Sequence, residues 1–185
     1  NPVTTFCIAG RLEPNKNQME VLKACRLLKQ ETEHKFKLLV IGGGGNVAYT
    51  EELKQYAVDN GLTGNVSFMG YRADVPEVLS HCDVGLTASV SEAFGRITVE
   101  YMMQNLAVIA SDTGANPEIV SDGETGLLYH SGDAKQLADK MRMLIDDRDL
   151  LLRLAAKGKQ HALKCFSSVQ NSDSIFNLYK TLVKE

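Results

Sequence analysis

The residues with the clearest chemistry lie at 91–100, SEAFGRITVE, where two carboxylates, Glu92 and Glu100, flank a short turn and a glycine that opens an apolar, helix-like run. A carboxylate before the turn and another one to two turns inside the helix can both reach a ligand seated on the helix's N-terminal N–H groups. The partial positive charge at the amides of Gly95, Arg96 and Ile97 suits a phosphate, and Glu92 and Glu100 are acceptors suited to sugar or ribose hydroxyls. A ligand with both parts, such as a nucleotide sugar, matches the pattern. The same spacing also fits an ordinary helix start after Ser91, with Glu100 a solvated helix position.

Three more segments carry charge or glycine where a strand runs into a loop. Gly10-Arg11-Leu12 is followed by Lys16; Gly10 allows close backbone approach, and the two cations can clamp a diphosphate. Lys16 reads equally as a surface lysine. The run Gly42-Gly43-Gly44-Gly45 lacks the third glycine of a dinucleotide fingerprint, since Val47 stands three residues beyond Gly44. It reads as a turn near a base or phosphates, with Gly42 and Gly44 the candidate contacts, or as a loop without a ligand. In FMGYR, Tyr71 and Arg72 follow a strand end, where Tyr71 also fits a half-buried aromatic.

The elements that must position these residues follow from short apolar runs alternating with helical stripes. Strands are expected at 4–9, 36–41, 65–69, 83–88, 107–110 and 127–129. Met19, Leu22, Cys25 and Leu28 mark a helix after the first strand. Further helices are expected at 49–60, stopped by Gly61, at 75–80, from Gly95 onward, and at 116–121, where Pro117 fits a first helical turn. After Asp133 the pattern is all helical, with stripes at Leu137, Met141, Leu144, Ile145 and at Ile175, Leu178, Tyr179, Leu182. Six strands alternating with helices imply an α/β fold with a Rossmann-like, doubly wound, six-stranded parallel sheet followed by C-terminal helices. Its ligand site belongs at the carboxyl ends of the strands, where every motif above falls.

Composition bounds the rest. With 185 residues, 44% of them hydrophobic, the chain can bury one substantial core, so residues 1–185 are read as a single domain. The net charge of −3, with no basic stripe and no Trp, gives no reason to expect a nucleic acid partner. Cys7, Cys25, Cys82 and Cys165 are scattered, three of them in apolar segments, and read as reduced thiols of a cytoplasmic protein. His34, His81, His130 and His161 have no ligand spacing, and Asp147-Arg148-Asp149 reads as a solvated acidic turn, so no metal is expected. No run of apolar residues is long enough to span a bilayer, and no signal peptide opens the chain.

Taken together with VIASDTGANPEIVSDGETGLLY downstream and AGRLEPNK near the start, SEAFGRITVE resembles the nucleotide-binding half of family 4 (group 1) retaining glycosyltransferases of the two-Rossmann-domain GT-B fold. The resemblance runs from about Phe6 to Tyr179, with the motifs in the family's order. It implies a donor-binding domain that works without a cofactor and takes a nucleoside diphosphate sugar, UDP or GDP foremost, for transfer in glycan or polysaccharide synthesis. It also implies an acceptor-binding domain preceding residue 1, through which any association with a membrane surface would come. By the same resemblance Arg11 and Lys16 hold the diphosphate, the amides of Phe94 and Gly95 meet sugar or phosphate oxygens, Glu92 holds the donor sugar as the candidate catalytic residue, and Glu100 holds the ribose. The backbone around Tyr71 and Arg72 meets the base. The chain departs from the family at Ala93, at Gln104-Asn105-Leu106 and at Ala115, which bears on backbone geometry more than on chemistry. The rival readings are a phosphorylase or epimerase on the same fold and a non-catalytic nucleotide-binding module.

Overall fold

Six strands lie side by side, all parallel, in a computed structural model that describes residues 3–166. They are β1 (Thr4–Ala9), β2 (Phe36–Ile41), β3 (Val66–Gly70), β4 (Val84–Thr87), β5 (Ala107–Ser111) and β6 (Leu127–Tyr129), in the order β3-β2-β1-β4-β5-β6. Among the described residues seven α-helices accompany them: α1 (Gln18–Glu31), α2 (Val47–Asp59), α3 (Val75–Leu79), α4 (Arg96–Met103), α5 (Asn116–Ile119), α6 (Ala134–Asp146) and α7 (Arg148–Cys165). This is the expected doubly wound sheet. The order reverses between β1 and β4, which pair at Phe6 with Val84 and Cys7 with Gly85, so the crevice at their carboxyl ends is where such a fold binds ligands.

The central strands are buried on both faces because successive side chains alternate between two cores. Phe6 and Ile8 enter a core with Val21, Leu22 and Leu28 of α1, Leu53 of α2 and Met141 of α6, while Cys7 enters a second with Leu79, Val99, Tyr101 and Met102. Burial pushes the Cys25 thiol up to about 12, so it packs as a small protonated hydrophobe. Cys82 is half-buried, Cys165 is exposed, and all four cysteines are free.

Boundaries shifted where a cap decided them. The helix expected from residue 49 begins at Val47, because the Asn46 side chain accepts from the Tyr49 N–H at 3.0 Å. A single 3-10 turn at Pro14–Lys16, absent from the sequence reading, precedes α1. The long α7 buries Leu151, Leu154, Ala155, Gly158 and Ala162. The stripe expected at Ile175, Leu178, Tyr179 and Leu182 lies outside the described residues.

Candidate functional site

A cleft of about 920 Å³ opens at the carboxyl ends of β1, β2 and β4. Its floor is backbone. Gly10 N–H donates to the Ile41 carbonyl at 2.9 Å and Gly42 N–H to the Gly70 carbonyl at 2.9 Å, which ties the loops after β1, β2 and β3 together. A Cβ on Gly42 would stand 1.8 Å from the Gly10 carbonyl oxygen, so only glycine lets these two loops meet. The cleft brings together Gly10, Arg11, Lys16, Gly42, Gly44, Tyr71, Arg72, Glu92, Phe94, Arg96, Ile97 and Glu100, all of them singled out from the sequence. Gly95 alone is not among its walls: it caps α4 with φ +72°, buried, and a Cβ there would stand 2.6 Å from Ile119 Cδ1. Ala9, Ile41, Gly43 and Val75 also line the cleft. The first two were legible as strand ends, whereas nothing in the sequence marks Val75.

Every cation expected to meet an anion already has a carboxylate partner. Lys16 Nζ lies 2.6 Å from Glu92 Oε2, with side chains only 25% and 16% exposed. Burial raises the Glu92 carboxyl, but the Lys16 ammonium, the Ser89 hydroxyl and the Gly95 amide outweigh it and hold the group below its ordinary range. Arg11 reaches Glu13 at 3.3 Å, and Arg96 reaches Glu100 at 3.2 Å one turn along α4; both arginines are well exposed, so these pairs hold weakly. Arg72 forms a two-pronged pair with Asp74, and its guanidinium holds the Asp74 carboxyl below the usual value. Tyr71 and Phe94 stand exposed at the mouth.

The loops carrying Lys16 and Glu92 are joined before any ligand arrives. Val90 N–H donates to the Asn15 carbonyl at 2.9 Å, and the Asn15 amide donates to the Ser91 carbonyl at 3.1 Å. On the other side, Ala115 N–H donates to the Glu92 carbonyl at 2.9 Å. The helix behind them is fixed by Tyr101: its ring packs where Gly85 has no side chain, and its hydroxyl accepts from Ala9 N–H at 2.6 Å. No side chain caps α4; Thr98 N–H donates to the Gly95 carbonyl at 3.0 Å, which leaves the N–H groups of Arg96 and Ile97 to face a ligand. The arrangement can therefore hold a diphosphate between two cations and a helix N-terminus, with carboxylates on either side for hydroxyls. Among the described residues no group of three or more His, Cys, Asp or Glu side chains could hold a metal ion, and no helix is long and apolar enough to cross a membrane.

The model of the family Glycosyl transferases group 1 matches residues 2–161. The lipopolysaccharide core biosynthesis mannosyltransferase LpsB of Rhizobium meliloti is 30% identical over 143 residues, which is 76% of this chain and 41% of that protein. The crystal structure of Anabaena HepE in complex with UDP-glucose superposes with a TM-score of 0.88 at 27% identity, covering 97% of this chain and 49% of HepE. A crystal structure of the C-terminal domain of a group 1 glycosyl transferase, LpcC of Francisella tularensis, superposes with a TM-score of 0.82 at 29% identity, covering 89% of this chain and 87% of that one. The chain spans 40–45% of the length of the curated relatives it matches.

Proposed function

The chain belongs to the group 1 glycosyl transferases, and on that premise we propose that it is the donor-binding domain of a retaining, metal-independent enzyme that moves a sugar from a nucleoside diphosphate to an acceptor. The acceptor-binding domain belongs to the same polypeptide, ahead of residue 1. The observation that carries the reading is the meeting of Arg11, Lys16, Glu92, Glu100 and the uncapped start of α4 in one cleft at the point where the strand order reverses. The donor is a UDP-sugar, a class supported by the UDP-glucose in the similar HepE structure.

In this reading the base lies against Ile41, Val75 and the backbone beside Tyr71 and Arg72, and Glu100 accepts from the ribose hydroxyls. The diphosphate sits on the α4 N-terminus between Arg11 and Lys16, with Gly10, Gly42 and Gly44 admitting it close to the backbone. As the bond between sugar and diphosphate breaks, negative charge grows on the departing phosphate, and these cations and amides stabilise it where it forms. Glu92 accepts from a hydroxyl of the donor sugar and fixes the sugar against that diphosphate. Calorimetric titration of the chain with UDP, GDP, ADP and UDP-glucose, each against its nucleoside, tests the reading. UDP and UDP-glucose are expected to bind at least tenfold more tightly than uridine, since charge-assisted hydrogen bonds to the phosphates are each worth roughly 1.5–3 kcal/mol. No preference for diphosphate over nucleoside would overturn it.

A further inference from the structure

Glu92 Oε2 has two partners of different kinds. One is the Lys16 ammonium at 2.6 Å; the other is the hydroxyl of Ser89, which donates at 3.2 Å. Ser89 is 2% exposed, just beyond β4, and its own carbonyl accepts twice, from Ser111 Oγ at 2.9 Å and from Thr113 Oγ1 at 2.7 Å. Ser111 Oγ in turn accepts from the Asn116 amide at 3.3 Å, and Asn116 Oδ1 accepts from Thr98 Oγ1 of α4 at 3.0 Å. A buried chain of hydroxyls and one amide thus anchors Ser89 to β5, α5 and α4, and the end of that chain is the Glu92 carboxylate. Such networks are rigid when each member is satisfied.

The two partners differ in what happens when a donor binds. Lys16 is partly exposed at the cleft and, in the proposed reading, is shared with the diphosphate, whereas Ser89 is buried and too deep to be recruited. We propose that Ser89 is a positioning residue for Glu92: it holds the carboxylate in place when the diphosphate draws Lys16 away, so that Glu92 meets the sugar from a fixed position. This rests on the reading of Glu92 as the sugar-facing group of the donor site.

The test compares Ser89→Ala and Ser89→Cys with Ser89→Thr. Alanine removes the hydroxyl and cysteine keeps the volume with only a weak donor, so the cysteine variant carries the test if the alanine variant does not fold. Threonine retains the hydroxyl. Two quantities are read on the 185-residue chain: the ratio of UDP-glucose to UDP affinity by calorimetry, and the titration of the Glu92 carboxyl by carbon NMR, assigned with Glu92→Gln. Without the hydroxyl, the ratio is expected to fall by about tenfold while UDP affinity stays within about twofold, and the Glu92 titration moves upward. Threonine is expected to restore both. Equal losses for UDP and UDP-glucose, or an unmoved Glu92 titration in both the alanine and the cysteine variant, would overturn the proposal. If the wild-type chain bound neither ligand, the donor-site reading would fail, and the Glu92 titration would still decide whether Ser89 holds it.

Discussion

Replacing Glu92 by Gln should tighten the binding of UDP, although Glu92 lies inside the site. The reason is the 2.6 Å pair with Lys16, which the diphosphate must break or share. Two unit charges at that separation attract by roughly 6 kcal/mol at an effective dielectric constant of about 20 and by about 1.6 kcal/mol in water. Most of this is returned as lost hydration and side-chain freedom, and exposed pairs net about 0.2–1 kcal/mol. With side chains 25% and 16% exposed, and with Glu92 titrating below its ordinary range despite its burial, this pair belongs at or slightly above the top of that range, about 1–1.5 kcal/mol. A phosphate that takes Lys16 forfeits this amount, and in Glu92→Gln it does not, so UDP should bind about five- to tenfold more tightly. Uridine should be unaffected. Calorimetry at fixed ionic strength near 0.15 M measures the change, and the same substitution in a Lys16→Ala background separates competition for Lys16 from general repulsion between Glu92 and phosphate. Competition predicts that the gain vanishes in that background. An equal gain there, or no gain in the single variant, would refute the reasoning.

If Glu100 holds the ribose as proposed, Glu100→Gln should lower UDP affinity by about tenfold while leaving 2′,3′-dideoxy-UDP nearly unchanged, because it weakens that charged acceptor and gives up only an exposed pair with Arg96; calorimetry on the four combinations checks this. Gly114→Ala should cost about 2 kcal/mol and lower Tm by roughly 6 °C, because Gly114 has φ +55° and a Cβ there would stand 2.3 Å from the Glu92 carbonyl oxygen. The His130 imidazole, 3.0 Å from Asp112, titrates above its ordinary value through its hydrogen bond to that carboxylate, and Asp112 titrates below its own, through its hydrogen bonds from the Ser131 N–H and from His130. The raised histidine contributes stability that is fully present below its unfolded value of about 6.5 and is lost as pH rises through the folded value. The depressed aspartate contributes stability above about 4 that is lost as pH falls through its folded value. The difference in thermal stability between the wild type and His130→Gln should therefore be largest between about pH 4 and pH 6.5 and disappear in alkali.

Much of this site was legible in the chain before folding, because its chemistry is local. Phosphate needs a cation or a helix start, hydroxyls need carboxylates, and close approach needs glycine; Arg11, Gly42, Glu92 and Glu100 declare these by type and by position at strand ends. The alternation of apolar runs and helical stripes likewise determined the parallel sheet, since strands that read as apolar on both faces demand helices on both sides. What the sequence left undecided depends on which strands become neighbours. Lys16 and Glu92 are 76 positions apart, and nothing local to either marks the other as its counter-ion. They meet because β1 pairs with β4, an adjacency set by packing two cores at once. Ser89 was not singled out from the sequence, and only the arrival of Ser111 at the end of β5 and Thr113 just beyond it makes it an anchored donor. Gly95 was read as the residue that opens the helix and as an amide contact; it opens α4 as read, and its α-carbon faces Ile119 of α5, a neighbour that nothing local to Gly95 marks. Residue type sets what each group can do, and tertiary packing sets which partner it does it with.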